Sequence, residues 1–356
     1  MVNVYIQMRR KNMTQQSQPS NANVPPYEAM LQMISGFWIS RSIYIAAKLG
    51  IADHLHDQPK SADELAAATG THAPSLYRVL RALSSVGVFA QDKDNHFRLT
   101  PLAETLRTDL PGSLRAVATL ELGEVHYPAW GDLLHSVKTG EIAFDHVFGM
   151  QVWEYFAQHP ENAKIFDDAM TGMTLAGNNA LLSSYDFSSI GKIVDVGGGH
   201  GSLIASILKI NPQMKGILFD APPVVEGARR RIEAEGIADR CEVIPGDFFV
   251  SVPSGGDAYI LKSIIHDWDD ERAIAILRNC YRVMTKNGKL LLVEAVVPLS
   301  SEPHFSKFTD LIMLVMTGGR ERTEQEYRTL LEASGFRLTR IIATESPMSV
   351  IEGERV

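Results

Sequence analysis

Apolar residues recur at three- and four-residue spacing from Tyr27 onward, at Met30, Ile34, Phe37, Ile39, Ile43, Ala46, Ala47 and Leu49, and stop at Gly50. That period predicts a long helix. It is apolar on more than one side, so one face is expected to pack beyond its own small domain, with a second subunit as the first candidate. Ser61 followed by Glu64 forms a capping box before an Ala-rich run that ends at Gly70. A second helix is expected over 73–86, with Leu76, Val79, Leu80 and Leu83 inward. Val88-Phe89, Asp94-Asn95 and residues 96–100 then read as strand, turn and strand. Two helices and a hairpin outline a winged helix. Residues 110–185 read as mostly helical and rich in Met and aromatic side chains, either ordinary core or the lining of an apolar pocket.

From residue 190 the pattern changes to alternating short apolar runs and helical segments. Strands are expected at 193–196, 215–220, 241–244, 258–261 and 289–294, and helices at 202–210, 224–234, 272–284 and 323–334. Closing strands follow near 337–342 and 349–351. This alternation is that of a doubly wound α/β domain. Residues 1–26 have no usable period and end in Pro25-Pro26, so they read as a mobile tail. Met13 opens a more ordinary beginning, so an upstream start codon is one expected origin of the first twelve residues.

Composition narrows the function classes. The 356 residues carry 34 Lys and Arg against 42 Asp and Glu, a net charge of −8, which disfavours a basic nucleic-acid binder. Within 61–100, Arg78, Arg81, Lys93 and Arg98 are offset by Asp63, Glu64, Asp92 and Asp94, so the winged segment lacks a charge footprint for phosphates. Two cysteines, Cys241 and Cys280, cannot build a disulfide framework or a four-thiolate zinc site. No apolar run reaches the roughly 18 residues of a membrane span, and Arg9-Arg10-Lys11 leads into polar residues rather than a signal-peptide core. A soluble, cytoplasmic protein without nucleic-acid or membrane partners is expected.

The sharpest chemical signal is Asp195-Val196-Gly197-Gly198-Gly199-His200-Gly201 between a strand and a helix. Glycines there let a ligand approach the backbone at a helix N-terminus. The spacing fits neither the GxGxxG dinucleotide fingerprint nor a phosphate loop, which needs a following Lys-Ser or Lys-Thr. The second strand ends in Asp220, where a carboxylate can accept both hydroxyls of a ribose. The third ends in Gly246-Asp247-Phe248, an acid and a ring suited to an adenine. Three successive strand ends thus suggest a nucleoside site without a phosphate grip.

DVGGGHG, LFD, PGDFF, LKSIIHDWDDERA, VEAVVP and GGRERT follow in that order. This series resembles the plant caffeate/flavonoid-type O-methyltransferases and their bacterial relatives of the hydroxyneurosporene, phenazine and anthracycline types, over roughly residues 30–350. The resemblance implies S-adenosylmethionine as cofactor, S-adenosylhomocysteine as product and a class I Rossmann-like α/β fold. It also implies a homodimer through an N-terminal winged-helix domain at 27–110. Residues 111–185 are then a helical linker region contributing to the acceptor pocket, and 186–356 the catalytic domain. Matched motif by motif, Gly197, Gly199, Asp220, Asp247, Phe248 and Lys262 would bind the cofactor; Phe248 stands where many plant members have Met.

His266 is the implied general base, flanked by Glu294 and Glu321, with Asp267 helping to hold substrate. A phenol near pKa ~10 and an imidazole near ~6.5 leave full proton transfer uphill by roughly 5 kcal/mol, which a nearby carboxylate reduces. Taken singly, His266 can also be a surface or capping residue, Glu294 a strand-end ion pair and Glu321 a helix-start acid. Metal-site spacings such as HExxH or cysteine pairs are absent, so no metal is expected. The acceptor pocket is assigned to Phe156, Phe166, Met170, Ser263, Asp310 and Met313. Ser263 aligns with a Trp, and Phe156 with a His, of plant phenylpropanoid enzymes. A small residue there widens the expected pocket toward multi-ring acceptors such as a phenazine, an anthracycline or a terpenoid-derived phenol. N- or C-methylation, cofactor binding without methyl transfer, and a winged-helix ligand sensor stay open as alternatives.

Overall fold

The computed structural model describes residues 24–356, the side chain of Ala176 excepted; Met13 and most of the expected tail lie outside the described residues. The chain forms two compact units. One comprises the described chain up to Tyr127 together with His159–Met173; the other comprises Pro128–Gln158 and Thr174–Val356.

The first unit opens with helix α1 (Pro26–Lys48), with Pro at its first position and Glu28 in its first turn, both favourable at a helix N-terminus. The Ser61–Glu64 capping box starts α2 (Ala62–Thr69), and Gly70 in the left-handed conformation stops it. Helix α3 (Ala73–Ser85) buries Leu76, Leu80 and Leu83. Strands β1 (Phe89–Gln91) and β2 (Phe97–Leu99) pair antiparallel around Asn95, whose φ of 63° makes the tight turn. Ile51, Leu65, Leu80, Phe89 and Phe97 share one core. The expectation for α1 needs one correction. Met30, Met33, Ile34, Phe37 and Trp38 are exposed, but Tyr44 is buried and Ile43 packs into its own unit. Among the described residues, the exposed apolar face is therefore the N-terminal part of the helix.

The second unit is built on a seven-stranded sheet in the order β5-β4-β3-β6-β7-β9-β8. Its strands are β3 (Lys192–Val196), β4 (Lys215–Asp220), β5 (Cys241–Pro245), β6 (Ala258–Lys262), β7 (Lys289–Ala295), β8 (Phe336–Ala343) and β9 (Met348–Arg355). The first five run parallel, and β9 inserts antiparallel between β7 and β8. Two apolar cores cover the two faces, Ile193, Ile204, Leu208, Ile260 and Leu291 on one side and Ile217, Tyr259, Ile276, Leu292 and Leu331 on the other. Burial on both faces explains why these strands read as continuous apolar runs. The strand order reverses between β3 and β6. All five parallel strands end at one edge, where open α/β sheets place ligand chemistry.

A helix that the sequence pattern did not resolve, Ser306–Met316, follows β7. The helix Glu324–Ala333 starts with a second capping box, Thr323 with Glu326. Among the described residues no helix is long and apolar enough to cross a membrane.

Candidate active site

The turn after β3 is shaped by its glycines. Gly197, Gly199 and Gly201 all have positive φ. A side chain at Gly197 would run into Ile264, whereas the space beside Gly199 is open, which leaves the Gly199 backbone free to approach a ligand. Asp220 reaches across from the end of β4. Its Oδ2 accepts the Gly199 N–H at 2.7 Å and its Oδ1 accepts the Ala221 N–H at 2.6 Å. The carboxylate therefore holds the glycine turn as well as presenting acceptors at the sheet edge. Asp195 lies buried below, with Oδ2 unpartnered. Burial and the neighbouring Asp220 charge push it up to about 7.

Asp247 is exposed and its Oδ1 accepts the Phe249 N–H at 2.8 Å; Phe248 is half-buried and edge-on to Phe249 and Trp268. Lys262 ends β6, and its ammonium donates to Thr174 Oγ1 at 3.0 Å. Burial pulls its pKa down, against the attraction of Glu294 and Asp195. A Gly backbone open to a ligand, an acid at the next strand end and a buried carboxyl group with one unpartnered oxygen beneath form a cradle that fits a cationic nucleoside better than a phosphate.

The second cluster follows β6. Ser263 adopts φ 54°, a left-handed conformation costly for a residue with a Cβ. It throws the chain into a short 3₁₀ turn, Ile265–Asp267. The amides exposed by that turn are caught by Glu294 at the end of the adjacent strand: its Oε1 accepts from Ile264 N at 3.1 Å and Ile265 N at 2.8 Å. Its Oε2 lies 3.6 Å from His266 Nδ1, too long for a hydrogen bond.

Glu321 completes the set, Oε1 standing 3.1 Å from the same Nδ1. It is delivered by the segment 319–322, which runs beside the exit of β7: Val297 N donates to Arg322 O. Gly319 is needed here because a Cβ would collide with the His266 carbonyl and the next peptide, and Arg320 N donates to that carbonyl at 2.8 Å. Asp310, expected in the pocket, accepts the Glu321 N–H at 2.9 Å and so fixes Glu321.

Arg322 was not foreseen. Fully buried, it donates to the carbonyls of Ile265 and Trp268 at 3.0 and 2.9 Å and to Asp270 at 2.9 Å, tying down the turn that carries His266. A buried arginine leaves no mark in a hydropathy pattern; only its place in GGRERT pointed to it.

Burial alone would depress the His266 imidazole, but Glu294, Asp267 and Glu321 outweigh it and lift it to about 10. Asp267, whose Oδ1 is 3.8 Å from Nε2, is pushed up to about 7, first by burial and then by the two glutamates. Burial also raises Glu294. The arrangement is an imidazole ringed by three carboxyl groups, which together favour its protonated form. His266, Glu294 and Glu321 also put three potential ligand atoms within 4.8 Å of one another, as do Asp132, His135 and His146; neither convergence was visible from sequence spacing.

Of the expected pocket residues, Phe156 and Met313 are buried and Ser263 is half-buried, all in the unit of His266. Phe166 and Met170 belong to the other unit, where they pack against Val117, Leu120 and Ala169.

A family model for the O-methyltransferase domain matches residues 130–337, and one for the O-methyltransferase dimerisation domain matches 31–109. The chain belongs to the O-methyltransferase family. This O-methyltransferase is 48% identical to the phenazine O-methyltransferase of Lysobacter antibioticus, over 94% of this chain and 97% of that one. The crystal structure of LaPhzM superposes with a TM-score of 0.91 at 48% identity, covering 94% of this chain and all of that one. The mitomycin biosynthesis 6-O-methyltransferase of Streptomyces lavendulae is 37% identical over 96% of this chain and 100% of its own length. An O-methyltransferase from neocarzinostatin biosynthesis, solved with S-adenosylmethionine and 2-hydroxy-5-methyl naphthoic acid, matches with a TM-score of 0.78 at 32% identity, covering 89% of this chain and 96% of that one. The class I Rossmann-like fold with an N-terminal dimerisation domain, expected from the motifs, is the fold of these proteins.

Proposed function

We propose that this enzyme transfers a methyl group from S-adenosylmethionine to a phenolic hydroxyl of a multi-ring aromatic or polyketide-like acceptor, with His266 as the group that takes the proton. The observation that carries the reading is the pair of buried glutamates on His266 Nδ1. With Nδ1 held there, Nε2, with Asp267 Oδ1 3.8 Å away, is the nitrogen that would take the acceptor's proton. The cofactor would lie over the glycine turn, its ribose on Asp220, its adenine between Asp247 and Phe248, and Lys262 at the far wall. When bound, it supplies an electrophilic methyl on a positively charged sulfur. The acceptor oxygen forms the new O–C bond as the C–S bond breaks, and its proton passes to His266 Nε2. Placing the two reactants together contributes much of the acceleration.

An imidazole near 10 matches a phenol near ~10, so the transfer is close to thermoneutral once the imidazole is neutral. The carboxylates make His266 a strong base, and also leave it mostly protonated at neutral pH. Imidazolium facing phenolate is the same complex with the proton moved, so the cluster holds an acceptor anion equally well. Asp310 and Arg322 serve as positioning residues. Ser263, small and sharply turned, supports a wide pocket, in keeping with the phenazine and naphthoic acid named for the relatives. The exposed N-terminal part of α1 supports a homodimer through the dimerisation domain.

The test is incubation with methyl-labelled S-adenosylmethionine and a panel of two- and three-ring phenols and amines, read by mass spectrometry. Labelled O-methyl ethers are expected. Label carried only by ring nitrogen or carbon would refute O-methylation.

A further inference from the structure

We propose that Asp132, His135 and His146, supported by Glu141, form a surface site for a divalent transition-metal ion of the zinc or cobalt kind, made of none of the residues of the His266 cluster. All four residues lie within fifteen positions of chain, in the order Asp-x2-His-x5-Glu-x4-His. His135 is on the helix Leu133–Thr139 and His146 on the helix Ala143–Phe148. The first helix ends at Gly140, whose φ of 78° lets the chain turn into the second.

Three features distinguish this group from scattered surface charge. Asp132 stands at the N-cap of its helix, where its carboxylate would normally accept a helix amide, yet it makes no cap bond. Its Oδ2 lies instead 2.7 Å from His146 Nδ1. The two imidazoles are stacked face to face, ring centres 3.9 Å apart and planes within 6°, so the exposed His146 ring must turn before both in-plane lone pairs can meet at one ion. Glu141 Oε2 then holds His135 Nε2 at 3.0 Å, the carboxylate partner that ligating histidines usually carry. One ligand atom from each of Asp132, His135 and His146 already falls within 4.8 Å of the others.

Charge and ligand type set the ion. Two carboxylates and two neutral imidazoles sum to −2, which a divalent cation cancels. A nitrogen and oxygen set suits zinc, cobalt or nickel rather than the all-oxygen preference of calcium or magnesium. Ligand bonds of about 2.0–2.2 Å require the three atoms to draw closer together. The His146 and Glu141 side chains, 57% and 72% exposed, have the rotamer freedom to do so, and the ion enters directly from solvent.

The experiment uses tag-free, chelator-treated full-length protein titrated with Zn2+ by calorimetry and with Co2+ by visible absorption. We expect one equivalent to bind saturably with the intense absorption of tetrahedral Co2+. Affinity should fall by more than about tenfold in His146→Ala and in Asp132→Asn, the latter nearly isosteric, since loss even of a group that only supports a ligand costs about 10–100-fold. Glu321→Gln, which breaks the other cluster, should bind the ion as the unaltered protein does. Binding weaker than about 1 mM, in the range of non-specific contacts, would overturn the site. So would binding that survives both His146→Ala and Asp132→Asn, or that disappears in Glu321→Gln instead.

Discussion

Replacing Glu294 by Gln removes one buried charge and leaves an oxygen to accept the Ile264 and Ile265 amides. The consequence should appear in the pH dependence more than in the rate at any single pH. At 3.6 Å from His266 Nδ1, a carboxylate contributes a gross attraction of about 4–5 kcal/mol at an effective dielectric constant near 20. The carboxylates together raise the imidazole from 6.5 to about 10 against burial, a net of about 5 kcal/mol. Loss of one of them, partly made up by relaxation, should therefore lower the His266 pKa by roughly two units.

In the unaltered enzyme the fraction of neutral imidazole, and with it kcat/KM for a phenol, should rise about tenfold per pH unit from 6.5 to 9. In Glu294→Gln the rise should level off near pH 8. The variant has a weaker base, available more often at low pH, so its deficit should widen by about 20-fold between pH 7 and 9.5. The assay is initial-rate methylation of an acceptor with an ordinary phenol pKa, in constant-ionic-strength buffers. A deficit independent of pH, or an unaltered enzyme whose rate levels off near pH 7, would refute the coupling of Glu294 to His266.

Further outcomes follow from other parts of the fold. Asp220→Ala should weaken S-adenosylmethionine binding by about 1.5–3 kcal/mol in calorimetry, because the ribose acceptor and the tie to Gly199 are lost together; unchanged affinity would remove the ribose assignment. Trp38→Asp with Phe37→Asp should move light scattering from the dimer toward the monomer mass, since both side chains are more than half exposed on α1; a monomeric unaltered chain would contradict the dimer. Glu352 is held at about 2, burial being outweighed by Arg340, Tyr185, Thr339 and Lys289. A depressed carboxylate stabilises the fold above its unfolded pKa, and that stability is lost as pH falls from about 4.5 toward 2. Discounted for the exposed Arg340 side, the loss should be about 1–2 kcal/mol in denaturant titrations and absent from Glu352→Gln.

The parts of this molecule that were legible in the sequence are those governed by local chemistry. The β3 turn shows itself by glycines, the second helix by the Ser61–Glu64 box, and the hairpin by Asp94-Asn95, because each depends on residues a few positions apart. The helix Ser306–Met316 was missed: it lies among motifs read for chemistry, and its N-cap position, Phe305, is a poor helix starter. What sequence could not reveal is where distant residues meet. Glu294 and Glu321 were set beside His266 by the family resemblance alone, not by any local pattern, and the contact of Asp310 with Glu321 by neither; they converge through the parallel pairing of β6 with β7 and the Gly319 contact. The same reason hid the role of Arg322, the strained Ser263 and the Asp132–His146 pair. Which side of α1 packs outward was not legible, with Ile43 inside its own unit and Phe37 exposed, because periodicity shows that a face is apolar without showing which neighbour covers it.

The central claim is that His266, set by two buried glutamates, accepts the proton while a phenolic oxygen takes a methyl group. It is tested most directly by single-turnover transfer of a labelled methyl from S-adenosylmethionine to a multi-ring phenol, comparing the unaltered enzyme with His266→Ala. The account predicts label on oxygen, cofactor affinity nearly equal in the two proteins, and a transfer rate about 10²–10⁴-fold lower in the variant, recovering at high pH as the phenol ionises unaided. Full transfer by His266→Ala at neutral pH, or label on nitrogen or carbon, would contradict it.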